Sequence, residues 1–398
     1  MRRPHGLPRR SSAVAKEGSI HVGGLFNLTS VFLMNRIALV VFLCALLTFN
    51  VEAQESTQQR IKIGVPTALS GSAAALGNDI KNALTLMNEK LGKGKYELIF
   101  EDEQCDNRVA VSVAQKLINF DKIKSALGFA CNGNLLATAS IYSRANVLVV
   151  TSSATSGDVE NIGKGIFQLF PSDVAGADLL FKYMAARHKR IGILTEQNEY
   201  PVMMERSIRR ANERAGKPIE LSSEEFVHGE SDFRTLLLRL RKNNIEGLFI
   251  NAQTDDSFIS VVKQIRASKF HGALYAVYLP ASDTARKALG SALNGFVFSN
   301  LPLADELVTD TGKELLSDFR KRFGEPQSGF PVVPISFEAF RIFDLALSSG
   351  KDPVEFLAST KFTGGFVPSF HFDEHGAVQG INFQMQKVEN DKVVLIKD

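Results

Sequence analysis

Thr151-Ser-Ser-Ala-Thr-Ser156 sets five hydroxyls around one alanine, directly after the apolar run Val147–Val150. A loop at the C-terminal end of a parallel strand is where open α/β sheets bind ligands. Backbone N–H groups and hydroxyls in such a loop can hold a carboxylate without a fixed positive charge. The other chemistry-bearing stretches are weaker. Ser70-Gly-Ser-Ala-Ala-Ala-Leu-Gly77 looks superficially phosphate-binding, yet it lacks the Gly-Lys-Ser/Thr of a P-loop. His371 and His375 flank Asp373 in an expected hairpin with no third cluster joining them, which fits solvated turn residues better than metal ligands. Nucleophile-elbow, Cys-His and metal-helix motifs are missing. Nothing singles out a catalytic base. The expectation is a binding protein, neither an enzyme nor a carrier of a metal or cofactor.

Elements able to position that loop alternate from residue 61 onward. Ile61–Val65, Tyr96–Phe100, Ser125–Phe129 and Val147–Val150 read as strands. Asp79–Lys90 reads as a helix, with Ala83, Leu84, Met87 and Leu91 at helical spacing. Val109, Ala110, Val113, Ala114, Leu117 and Ile118 give an amphipathic stripe, and a further helix is expected from about Leu135. This βαβ pattern implies a parallel sheet covered by helices on both faces. It then restarts. Asp173–Arg187 and Tyr200–Gly216 read as helices around the strand Arg190–Thr195, and Ile219–Val227 is extended. Ser231-Asp232 can cap a helix with the stripe Phe233, Leu236, Leu237 and Leu240. Gly247–Asn251 and Ala273–Leu279 are strands, Gly295–Leu303 is extended, and Pro334–Ser348 is a long helix. The tail segments Ser369–Phe372, Ile381–Val388 and Lys392–Ile396 alternate by twos, as antiparallel strands do. Two successive α/β units predict two lobes.

Met34-Asn-Arg opens an uncharged run, Ile37–Val51, that ends in Val51-Glu-Ala53. A basic start, an apolar middle and small-type residues at −3 and −1 describe a secretory signal peptide cleaved after Ala53. The competing reading is a membrane anchor, for which the run is shorter than the ~20 residues a span needs. Cys44 lies mid-run behind Leu43 and reads as an apolar residue, not a lipoprotein site. Residues 1–33 fit no targeting pattern; a start placed too early explains them better than a basic nucleic-acid arm. Removing the six Lys/Arg and two acids of residues 1–53 leaves 40 basic and 41 acidic residues, a net charge of −1. That balance argues against nucleic acid as a partner. The remaining 345 residues suit two domains. Cys105 and Cys131 are the cysteines left after cleavage, at matching ends of expected adjacent strands. An even pair in an exported chain favours a disulfide over two buried thiols.

Several motifs in order resemble one family: Ile61-Lys-Ile-Gly-Val-Pro-Thr-Ala-Leu-Ser-Gly71, Glu101-Asp-Glu-Gln-Cys-Asp106 ahead of the Val109–Ile118 helix, and Gly128-Phe-Ala-Cys131. Thr151–Thr155, Asp232-Phe233 leading into Leu236 and Leu240, and Phe372-Asp-Glu-His-Gly376 continue the likeness. From residue 60 to 398 the chain resembles the type I periplasmic binding proteins of the branched-chain amino-acid class, the substrate-binding subunits of ABC importers. The resemblance implies two Rossmann-like lobes with parallel sheets, joined by three hinge crossings. Lobe 1 would comprise residues 58–171 and 301–364, and lobe 2 residues 172–300 and 365–398. It maps the family disulfide onto Cys105 and Cys131. It also implies that Ser153, Ala154 and Thr155 contact a ligand's carboxylate and amine, with Ala130, Cys131 and Asn132 adding N–H groups and Tyr200 closing the pocket from lobe 2. Pro201 follows that tyrosine where the family has glycine. Leu76 stands where the aliphatic binders carry an aromatic residue. The acid that would pair a ligand ammonium is open among Asp283, Asp255 and Asp256, with Gln253 beside the latter two.

The function implied is a periplasmic, monomeric receptor. It would deliver a small amino acid or related carboxylate to an ABC permease in the inner membrane. The alternative is a ligand-sensing receptor or regulator of the same fold without a transport role.

Overall fold

The computed structural model describes residues 60–154, 162–328 and 330–397. The leader 1–33, the signal segment 34–53 and Thr155 lie outside the described residues. Among those described, no helix is long and apolar enough to cross a membrane.

The first sheet contains β1 (Ile61–Thr67), β2 (Tyr96–Asp102), β3 (Ser125–Gly128), β4 (Leu148–Thr151) and β5 (Ile166–Gln168). Their order is β2-β1-β3-β4-β5, parallel throughout. Helices α1 (Ala74–Met87), α2 (Asn107–Asn119) and α3 (Asn132–Arg144) make the crossovers. All of β4 is buried, as expected of a strand covered on both faces. Its side chains alternate: Leu148 and Val150 join one core, Val149 the other.

The second sheet contains β6 (Arg190–Glu196), β7 (Glu220–Phe226), β8 (Gly247–Asn251), β9 (Ala273–Val277) and β10 (Phe296–Asn300), all parallel. Helices α4 (Asp173–Ala185), α5 (Glu199–Arg214), α6 (Arg234–Lys242), α7 (Asp255–Ala267) and α8 (Asp283–Leu289) accompany it. After a short α9 (Ala304–Leu307), α10 (Asp310–Phe323) and α11 (Val332–Ser348) return to pack on α1. A final helix, α12 (Pro353–Ser359), precedes the small hairpin β11 (His371–Phe372) and β12 (Val378–Gln379). The antiparallel strands β13 (Gln384–Glu389) and β14 (Lys392–Leu395) then extend the second sheet to the order β14-β13-β10-β9-β8-β6-β7.

The chain is therefore an α/β molecule of two lobes. A single apolar core runs from Ile63, Val65 and Leu127 of the first lobe into Ile191, Ile193 and Phe249 of the second. The last passage between lobes comes later than the expected residue 365. The β11–β12 hairpin still packs on β5: Gln168 donates its N–H to the Gly376 carbonyl at 2.8 Å, and the Phe167 and Phe372 rings meet at 5.0 Å. The chain joins the second sheet only at Gln384.

Candidate functional site

The C-terminal ends of strands from both sheets face one cavity of about 560 Å³. The first lobe contributes the start of α1, including Leu76, the turns after β2 and β3, and Ser153 after β4. The second contributes the turns after β6, β8 and β9. Phe170 and Phe330, on the connecting segments, line the same space.

Helix ends give the two walls opposite character. In the first lobe, α3 begins after Cys131 with no side-chain cap, and α1 begins after Ala73 likewise. Uncapped first turns present N–H groups and the positive end of the helix dipole. Cys131 cannot cap because its sulfur is bonded to Cys105, the two Cα atoms lying 5.7 Å apart. In the second lobe, Asn198 caps α5 and Thr254 caps α7. The cavity-lining residues there include the acids Glu199 and Asp255. One wall suits an anion and the other a cation.

Individual side chains sharpen this picture. The Tyr200 hydroxyl is enclosed and, among the described residues, has no hydrogen-bond partner. Burial, with Asp173 and Glu199 nearby, pushes its ionisation well above the usual value. Asn251 at the end of β8 donates to the Pro201 carbonyl at 2.6 Å and so fixes the first turn of α5 beneath Tyr200. Asp255 leaves Oδ1 enclosed and, among the described residues, unpaired; burial raises its carboxyl, against a hydrogen bond from Ser282. Gln253 donates its N–H to Glu196 Oε2 at 2.7 Å. Glu196 Oε1 also accepts from Ser257 Oγ at 2.9 Å and faces His228 Nδ1 at 2.8 Å. Ser257 Oγ and His228 Nδ1 also lie 3.5 Å apart, so serine and imidazole meet each other as well as the carboxylate.

Leu76, Ala130, Cys131, Asn132, Ser153, Tyr200, Gln253 and Asp255 all line the cavity. Two expected residues do not. Ala154 is wholly buried; its N–H donates to Phe129 at 2.9 Å and its carbonyl accepts from the Thr151 hydroxyl at 2.7 Å. It shapes the loop from behind. Asp283 opens α8 and faces Arg286 at 3.8 Å and Lys287 at 3.5 Å, outside the lining. The Ser70–Gly77 stretch proves to be the entry to α1. A side chain at Gly77 would put Cβ 1.7 Å from the Ala68 carbonyl oxygen, so the glycine serves a backbone contact. Asp373 holds the β11–β12 turn through the N–H groups of His375 and Ala377.

Sequence reasoning missed Asp173 and the aromatic lining. The Tyr278 hydroxyl donates to Asp173 Oδ1 at 2.6 Å, and the Asn132 amide donates to Oδ2 at 3.0 Å. This carboxylate links α3 of one lobe to β9 of the other. The Tyr278 ring lies 4.4 Å from Phe330 and 6.2 Å from Phe170. Tyr278 also has φ of 51°, unusual for an aromatic residue and of a kind that collects at ligand sites. The one advance signal was the break at Pro280, which marks the end of the strand but not this backbone turn.

The sequence model for periplasmic binding proteins matches residues 60–382. The chain belongs to that family. Among similar members, the Leu/Ile/Val/Thr-binding protein of Salmonella typhimurium is 24% identical over 336 residues, covering 81% of this chain and 90% of its own. The leucine-binding protein LivK of Thermotoga maritima superposes with a TM-score of 0.75 at 19% identity, over 85% of this chain and 98% of its own. A solute-binding protein of an ABC transporter from R. palustris, crystallised with benzoate, gives 0.73 at 16% identity, over 85% and 95%. These structures share the two-lobed fold with this periplasmic binding protein.

Proposed function

We propose that this chain is an exported solute receptor that captures a small amino acid or related carboxylate between its lobes and hands it to an ABC importer. The observation that carries the reading is the polarity of the cavity. The carboxylate sits against the uncapped α3 turn and Ser153, and the ammonium faces Asp255 and the Tyr200 hydroxyl. The Salmonella relative, named for binding Leu, Ile, Val and Thr, and the benzoate complex from R. palustris both support a carboxylate ligand. Leu76 lines the pocket where the aliphatic binders carry an aromatic ring, which favours a different side-chain pocket. No step of catalysis is assigned. Export to the periplasm, cleavage after Ala53 and a monomeric state belong to the same proposal.

Titration calorimetry of the purified mature protein against amino acids and small carboxylates tests it. A saturable, one-site ligand carrying a carboxylate is the expected result. If the best ligand carries none, the reading fails.

A further inference from the structure

We infer that the cavity selects an amino acid whose side chain ends in a cation, with Glu199 as the residue that holds this cation. The inference rests on the amino-acid reading of the cleft and narrows it. Four acids line the cavity, Asp106, Asp173, Glu199 and Asp255, against one base, Arg108. Their states differ. Asp106 is engaged as the cap of α2, accepting from the N–H groups of Arg108 at 2.7 Å and Val109 at 3.1 Å. Asp173 is engaged by Tyr278 and Asn132. Asp255 keeps an enclosed oxygen, unpaired among the described residues, that an α-ammonium can take.

Glu199 then remains. Among the described residues its carboxylate makes no hydrogen bond and no ion pair within 4 Å, although Arg206 lies farther along the same helix. Glu199 is solvent-exposed on the cleft wall; partial desolvation there, with the negative charge of Asp173, raises its carboxyl above its ordinary value. A neutral ligand would leave the charges of Glu199 and Asp173 facing each other in the cleft. A cation placed at Glu199 offsets that charge, where the cleft wall shields it in part from solvent. The cavity, at about 560 Å³, lies well within the range of sites that enclose molecules larger than a minimal amino acid. Its rings, Tyr200, Tyr278 and Phe330, offer apolar surface for an alkyl stem and π faces for a cation.

Lysine and norleucine isolate the claim, because they share a stem and differ by the terminal ammonium. Calorimetry on the wild type should give lysine about a tenfold lower Kd than norleucine, a difference that closely spaced opposite charges in a confined cleft supply. In Glu199→Gln that ratio should collapse to near one, and Glu199→Asp should restore part of it. A wild-type protein that binds norleucine as tightly as lysine overturns the inference and leaves the amino-acid reading standing. So does a lysine preference that survives in Glu199→Gln. Failure of both ligands to bind, with a non-amino carboxylate binding instead, overturns the inference and the amino-acid reading together.

Discussion

At the scale of single residues, the first turn of α3 rests on a buried carboxyl. Glu103, fully enclosed, accepts from the Asn134 amide at 3.2 Å, and Asn134 lines the cavity. Burial raises Glu103 from 4.5 to about 7. A carboxyl raised in the folded state binds more protons folded than unfolded, so its contribution is complete below pH 4.5 and is lost as pH rises through 7. Glu103→Gln removes that titration and keeps an acceptor for Asn134. The variant should match the wild type near pH 4.5 and exceed it by on the order of 3 kcal/mol above pH 7. Urea unfolding at both pH values decides the matter, and a constant offset would refute it. Ser153 is the counterpart on the ligand side. A hydrogen bond to a charged group contributes ~1.5–3 kcal/mol, so Ser153→Ala should weaken a carboxylate ligand about tenfold to a hundredfold by calorimetry. Ser153 was legible because it follows a buried strand in a hydroxyl-rich loop. Asp173 and Tyr278 were not, because their importance comes from two segments 105 residues apart meeting across the cleft.

At the scale of elements, periodicity revealed most of the helices and strands and blurred their ends. Helix α1 begins at Ala74, ahead of the expected Asp79, with no side-chain cap to mark its start in the sequence. Strand β5 was missed because three residues after Gly165 carry too little alternation to read. Helices α7 and α10 were also left unplaced, although Phe258, Val261, Val262 and Ile265 of α7 form a buried stripe. The close approach at α1 gives a test. Gly77→Ala must push α1 from β1, costing about 1–3 kcal/mol as an overpacked contact, and must displace Leu76 from the cavity wall. Thermal unfolding and ligand affinity should both fall; unchanged values would mean that the Ala68 contact yields freely. The Cys105–Cys131 bridge ties the turn after β2 to the start of α3. Its sequence separation of 26 corresponds to ~3–4 kcal/mol in the chain-entropy model. The Cys105→Ser/Cys131→Ser double variant should unfold at correspondingly lower denaturant, with a larger m because the unbridged unfolded chain is less compact.

At the scale of the whole molecule, two lobes around one cavity predict closure on binding. Small-angle scattering should give a smaller radius of gyration at saturating ligand, and identical profiles would count against closure. Export makes a separate claim: intact mass of secreted protein should correspond to a chain beginning at Gln54, and retention of residues 1–33 would contradict it. The Asn132–Asp173–Tyr278 linkage carries a consequence for the empty receptor. It joins the lobes through groups that no ligand has to supply. The unliganded protein therefore spends part of its time already in the binding-competent arrangement, and the observed Kd is the intrinsic value divided by that fraction. Asp173→Asn lowers the fraction, and because its charge lies beside Glu199 it also lowers any preference for a cationic ligand. Neutral solutes should then lose affinity by one common factor, seen mostly as slower capture, while their rank order stays the same.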